Sequence, residues 1–180
     1  IIGGCASLIY LTIGDISYRL SLSRGGLNSK LITDMVAKSA AKKPKDEYKE
    51  KLDSMIDDGA DWFMHQDTEK IIIEKKHRLS LYADLIRPDK PSNVYIICIH
   101  GYTSSPANMG IYAKKYHELG YNVLLPSLRG HGDSEQDFIT MGWNDRLDVI
   151  EWINYIAERH PESKIILHGV SMGAATTMMA

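Results

Sequence analysis

Gly169-Val170-Ser171-Met172-Gly173 is the stretch of this chain with the clearest chemistry in it. A serine hydroxyl attacks a carbonyl only when it is exposed and a general base can take its proton. The G-x-S-x-G pattern, set between a strand and a helix, lifts such a hydroxyl to the apex of a sharp turn. Side chains at the two flanking positions would strike the neighbouring strand or helix, which accounts for glycine at Gly169 and Gly173. Ala174 and Ala175 extend the small surface, so that the helix packs close. The bare pattern arises by chance in roughly one chain in twenty at ordinary glycine usage, so its surroundings have to decide.

A second candidate is His100-Gly101-Tyr102-Thr103-Ser104-Ser105, at the end of an apolar run. Attack on a carbonyl builds negative charge on its oxygen, and preset backbone N–H groups stabilise that charge. In the strand–turn–helix setting one donor is the residue after the nucleophile, here Met172. The other comes from the loop after an earlier strand, where Tyr102 follows His-Gly. Gly101 lets that backbone approach the substrate. His100 invites a reading as the base, but the expected chain order is serine, acid, histidine. His100, His131 and His168 are therefore expected to be structural.

The glycine-rich turn from Arg129 to Ser134 matches neither a Walker loop nor a dinucleotide fingerprint. It reads as a tight connection held by Arg129 and Asp133. Cys5 and Cys98 have no Cys or His at metal-ligand spacing, so neither a metal nor a cofactor is expected. Cys98 sits in an apolar run and reads as a small buried hydrophobe.

The elements that must position these groups follow from periodicity. Residues 71–73 and 79–83 read as a hairpin. Residues 94–99 form a continuous apolar run, as in a strand covered on both faces. A helix over 107–119 ends at Gly120, 123–125 is a short strand, a helix over 145–159 stops before Pro161, and 164–167 is a strand leading into the elbow. Strands alternating with helices predict an α/β fold with a mostly parallel sheet flanked by helices, with ligands beyond the carboxyl ends of the strands. Upstream, helical patterns cover 29–40 and 46–64, parted by Lys42-Lys43-Pro44-Lys45. The chain thus divides into an apolar segment with a linker (1–28), N-terminal helices (29–66) and the main domain (67–180).

Composition agrees with a globular chain: of 180 residues 44% are apolar and 24% charged, and the net charge of −2 makes nucleic acid an improbable partner. Residues 1–13 are almost wholly apolar but shorter than the roughly 20 residues a spanning helix needs. They read as the remaining half of a signal anchor, which predicts an anchored or exported protein and membrane association at this end. A buried helix or strand is the plainer alternative, and a lipoprotein-like reading of Cys5 is another.

Taken together, H-G-Y-T-S-S from His100, L-R-G-H-G-D-S-E from Leu128 and H-G-V-S-M-G-A-A from His168 resemble the corresponding segments of α/β-hydrolases. More narrowly the chain looks like exported or membrane-anchored serine hydrolases of Gram-positive bacteria related to monoacylglycerol lipases, and Met141 to Arg146 is similar to that group too. The resemblance runs from about residue 62 onward. It implies an α/β-hydrolase fold truncated after the nucleophile elbow, with Ser171 forming an acyl-enzyme on a small-molecule acyl ester. It also implies that the triad acid and histidine lie downstream, since only nine residues follow Ser171 and none is histidine. Ser127 stands where many relatives carry aspartate. An acyltransferase or peptidase on the same scaffold, or a non-catalytic binding module, stays open. Tyr102, Trp143 and Met172 are candidates for the pocket wall or for the core.

Overall fold

A computed structural model describes residues 15–19, 21–23, 46–75, 79–134 and 136–180. In chain order the elements are α1 (Glu47–Met64), β1 (Glu69–Lys75), β2 (Leu79–Ile86) and β3 (Val94–Ile99). A 3₁₀ turn (Pro106–Met109) then runs into α2 (Gly110–Glu118), followed by β4 (Asn122–Ser127), α3 (Asp145–Arg159), β5 (Lys164–Gly169) and α4 (Met172–Met179).

Five strands form one sheet in the order β1-β2-β4-β3-β5. β3 pairs in parallel with both β4 and β5. β1 and β2 form the expected hairpin, with Ile72 opposite Tyr82, and β2 joins β4 antiparallel. The parallel reading thus holds for the β4-β3-β5 half, and the hairpin supplies an antiparallel edge. Burial explains the difference. β4 is buried along its whole length and β3 everywhere but at its first residue, whereas β1 alternates, Ile71 buried and Ile72 exposed. Continuous apolar runs belong to strands covered on both faces, and alternating ones to strands with one wet face.

The connections divide the core in two. From β3 the chain crosses through α2 to β4 on one side; from β4 it returns through α3, past β3, to β5 on the other. Parallel crossovers are right-handed, so reversing their direction moves the helix to the opposite face. Accordingly, Phe63 of α1 and Met109 and Ala113 beside it pack with Ile96, Cys98, Val123 and Leu125 on one face. Val149, Trp152 and Ile156 of α3 pack with Ile97, Ile99, Leu124 and Leu85 on the other. β3 and β5 are neighbours whose outgoing loops lead to opposite faces. A crevice opens at such a point, outside the carboxyl ends of the strands.

Helix α2 ends in a double turn of hydrogen bonds, Gly120 N–H to His117 O at 2.9 Å and Tyr121 N–H to Tyr116 O at 3.1 Å, with Gly120 at φ +80° as expected of the capping position. α1 starts at Asp46, whose carboxylate accepts from the Tyr48 amide at 3.1 Å. Residues 15–19 are helical rather than linker-like, supported by an Arg19–Asp15 ion pair at 2.8 Å one turn apart. Leu22 then accepts from the Ile139 amide at 2.8 Å. The apolar segment 1–13, Cys5 and the helix expected over 29–40 lie outside the described residues. Among those described, no helix is long and apolar enough to cross a membrane.

Candidate active site

At the end of β5 the ladder runs one residue further, the Val170 amide donating to Ile99 O at 3.1 Å. The chain then reverses within a single residue. Ser171 sits at φ +54°, ψ −119° and α4 begins at Met172. That conformation is costly for any residue with a Cβ, on the order of 1–3 kcal/mol, and it persists only where its surroundings enforce it. Here they do. The Gly173 amide donates to Val170 O at 2.9 Å, and Ala174 and Ala175 both donate to Ser171 O, at 3.0 and 3.2 Å. A methyl group on Gly173 would overlap the Ile99 carbonyl and come within 2.5 Å of His100 O, and one on Gly169 would overlap the Gly173 carbonyl. Glycine at both positions lets α4 press against the sheet and hold the bend. The Ser171 side chain forms no capping bond and is exposed at the crevice.

The loop after β3 lies directly against this serine. The position a Cβ would take on Gly101 is 3.2 Å from Ser171 Cβ and 3.8 Å from its Oγ. A turn closed by Ser104 N–H to Gly101 O at 3.2 Å, with Thr103 at φ +57°, fixes the loop's path. Among the described residues neither the Tyr102 nor the Met172 amide donates to a protein acceptor. Met172 opens α4, where a helix leaves its first amides unsatisfied and its dipole positive. Its side chain is buried in the core, whereas Tyr102 is half-buried and lines the cleft.

All three histidines near the crevice are engaged elsewhere. His100 is fully buried. Its Nε2 accepts from the Leu128 amide at 3.1 Å, which leaves Nδ1 as the protonated nitrogen, donating to Gly101 O at 2.9 Å. Burial above all, with the nearby His131 adding to it, lowers its pKa from 6.5 to about 4, against the opposing effect of the Gly101 carbonyl. His100 is a neutral bolt between the two loops. His131 meets it edge-on at 5.0 Å, with Nδ1 3.1 Å from Arg129 O. His168 pairs with the Tyr116 hydroxyl at 2.8 Å and packs on Tyr112. Cys98 is buried in β3, and desolvation pushes its thiol up to about 12.

The turn after β4 is held differently from the sequence reading. Arg129 forks onto Asp148 of α3, both bonds 2.6 Å, while Asp133 is exposed. A planar guanidinium and a buried carboxylate match in two parallel bonds, and Asp148 lies a whole connection away in sequence, where no local signal points to it. Ser134 Oγ donates to Ser127 O at 2.6 Å and accepts from the Tyr82 amide at 3.2 Å, tying the turn to two strands.

The Met141–Arg146 segment braces the elbow helix. Asp145 accepts from the Thr140 hydroxyl at 2.5 Å and the Gly142 amide at 2.8 Å, and Gly142 is seated against Thr176 of α4. Trp143 lies outside the cleft, 65% exposed beneath the Arg146 guanidinium at 4.0 Å.

A cleft of about 310 Å³ opens at Ser171, walled by Tyr102, Tyr112 and Val170 and, unforeseen from the sequence, by Leu52 and Ile56 of α1. The spacing of Leu52 and Ile56 with Phe63 marks an apolar helix stripe, but nothing local says what it faces. Among the described residues no cluster of His, Cys, Asp or Glu is placed to hold a metal ion.

A strained serine at a strand–helix turn, on a mixed sheet flanked by helices, defines an α/β-hydrolase fold. Residues 90–180 match the model of the serine aminopeptidase S33 family (Hydrolase_4), and the chain belongs to that family. It is 31% identical over 90 residues to the thermostable monoacylglycerol lipase of Bacillus sp. strain H-257, an alignment covering 47% of this chain and 34% of the lipase. An esterase of Pyrococcus furiosus superposes with a TM-score of 0.58 at 29% identity, covering 66% of this chain and 46% of that one. An α/β serine hydrolase homologue from Coxiella burnetii, at 21% identity and a TM-score of 0.53, shares the fold. The chain thus covers 34%, 46% and 55% of the length of these three relatives.

Proposed function

We propose that the whole protein is a serine esterase in which Ser171 is the nucleophile and the amides of Tyr102 and Met172 bind the oxyanion. One observation carries the reading: an exposed serine, free of any capping bond, is held at φ +54° with the Gly101 backbone packed against it. A base takes the Ser171 proton as Oγ bonds to the ester carbonyl carbon, and the carbonyl oxygen gains the charge that the two amides stabilise. The C–O bond to the alcohol then breaks and the base returns its proton to the departing oxygen. Water, deprotonated by the same base, cleaves the acyl-enzyme and frees Ser171. His100, His131 and His168 are engaged in the scaffold, so the reading assigns the base to none of these three.

An ester fits better than a peptide bearing a free amino terminus. The cleft wall is largely apolar, and its lining among the described residues includes no carboxylate to hold an ammonium group. The lipase and esterase relatives point the same way. The test uses protein expressed from its complete reading frame. Ser171→Ala should lower kcat/KM for a short-chain aryl ester by on the order of 10⁴ or more and abolish labelling by a fluorophosphonate. Turnover that survives this change removes Ser171 from the mechanism.

A further inference from the structure

We infer that helix α1, which lies outside the family-matched segment, forms the outer wall of an acyl-chain channel and sets the length of chain accepted. The inference rests on the esterase reading above and adds the substrate class: esters of medium-length, unbranched fatty acids.

Leu52, Ile56, Gly59 and Phe63 follow one another at four-, three- and four-residue steps and so share one face of α1. Along that face burial falls steadily towards the amino terminus. Phe63 belongs to the core, Gly59 is buried, Ile56 is half-buried and Leu52 is 39% exposed. The inner half of the stripe is covered, Gly59 by α2 and Phe63 by the core cluster that includes Met109 and Ala113. The outer half overhangs the cleft that contains Ser171, so its apolar side chains face the space beside the reacting atoms.

The position of the helix is fixed rather than incidental. Gly59 and Gly110 meet backbone to backbone where α1 crosses α2. A methyl on Gly59 would stand 2.6 Å from Ile111 Cα, and one on Gly110 would stand 2.6 Å from the Gly59 carbonyl carbon. This crossing pins α1 one turn from Ile56 and two turns from Leu52. Ile111 and Tyr112 of α2 and Val170 beside the nucleophile close the opposite wall. The channel therefore starts at Ser171 and runs between two helices locked together. A largely apolar cleft with the serine in its wall suits a hydrocarbon chain bonded to the carbonyl at Ser171. Each methylene it buries contributes about a fourfold gain in kcat/KM.

The experiment measures kcat/KM for p-nitrophenyl esters from acetate to dodecanoate, using protein from the complete reading frame. In the wild type the values should rise with chain length and then level off. Leu52→Trp, which fills the mouth, should lower the octanoate-to-acetate ratio at least tenfold. Ile56→Ala, which deepens the channel, should raise the dodecanoate-to-octanoate ratio about fourfold or more. Met55→Ala, on the same helix but outside the cleft, should leave both ratios within twofold. If Leu52→Trp proves insoluble, Leu52→Ser takes its place, with a several-fold fall in the octanoate-to-acetate ratio expected. A wild type that hydrolyses esters while the Leu52 and Ile56 variants keep its ratios overturns the role of α1 alone. A wild type that hydrolyses none of them and takes no fluorophosphonate label overturns the esterase reading, and this inference with it.

Discussion

Replacing Ser171 by glycine should stabilise the protein while abolishing its activity. The backbone at φ +54°, ψ −119° is one that glycine adopts freely and a residue with a Cβ does not. Relief of that strain is worth about 1–3 kcal/mol. Against it, glycine loosens the unfolded chain, a cost of about 0.4–1 kcal/mol. The hydroxyl caps no helix amide, so its loss subtracts little. The balance favours Ser171→Gly by about 1 kcal/mol, or roughly 2–4 °C in Tm for a domain of 150–250 residues. Ser171→Ala keeps the Cβ, and hence the strain, and should stay close to wild type. Equilibrium urea unfolding of the three proteins, followed by circular dichroism, gives the comparison. If Ser171→Gly is no more stable than Ser171→Ala, the elbow stores no strain at this residue and the account given of it is wrong.

Three further outcomes follow from the packing around the elbow. Gly173→Ala should cost about 1–3 kcal/mol of stability and, by moving the nucleophile on the order of 1 Å, about a hundredfold in kcat; a variant within threefold of wild type in steady-state kinetics would contradict the close approach. Arg129→Ala should cost about 3–5 kcal/mol, because it removes the bidentate cation from the buried Asp148 carboxylate, whereas Asp133→Ala should change stability by less than about 0.5 kcal/mol; paired denaturation curves decide. His100, neutral in the fold with a pKa near 4, takes up a proton near pH 6.5 once the chain unfolds. Its contribution, about 3 kcal/mol, is therefore complete above pH 6.5 and lost as the pH falls towards 4. His100→Gln should flatten the stability–pH curve across that window, and parallel curves would refute the assignment.

The elbow was legible in the sequence because its requirements are local. Two glycines, a serine and a strand-to-helix switch fall within a few positions, and the glycines' contacts with Ile99, His100 and Gly173 carbonyls supply the reason. The strand at 94–99 was equally readable as an unbroken apolar run, and that at 164–167 as a short apolar stretch leading into the elbow. The antiparallel hairpin edge was visible as a hairpin, but which strand it would join was not, since the pairing of β2 with β4 depends on how β3 is wound. Partners distant in sequence escaped altogether. From the sequence the turn reads as held by Arg129 and Asp133, whereas Arg129 forks onto Asp148 on the following helix and Asp133 is exposed. Leu52 and Ile56 looked like any helical stripe, because whether an apolar face meets the sheet or a cleft is settled by the Gly59–Gly110 crossing.

Gly101 and Ser171 come together only through the pairing of β3 with β5. A ribosome therefore finishes the first loop before the serine exists, and a chain with these strands unpaired lacks the close approach of Gly101 to Ser171 on which the proposed activity depends. Under the proposed function, reactivity waits on the assembled sheet, and nascent or misfolded copies are expected to be chemically silent.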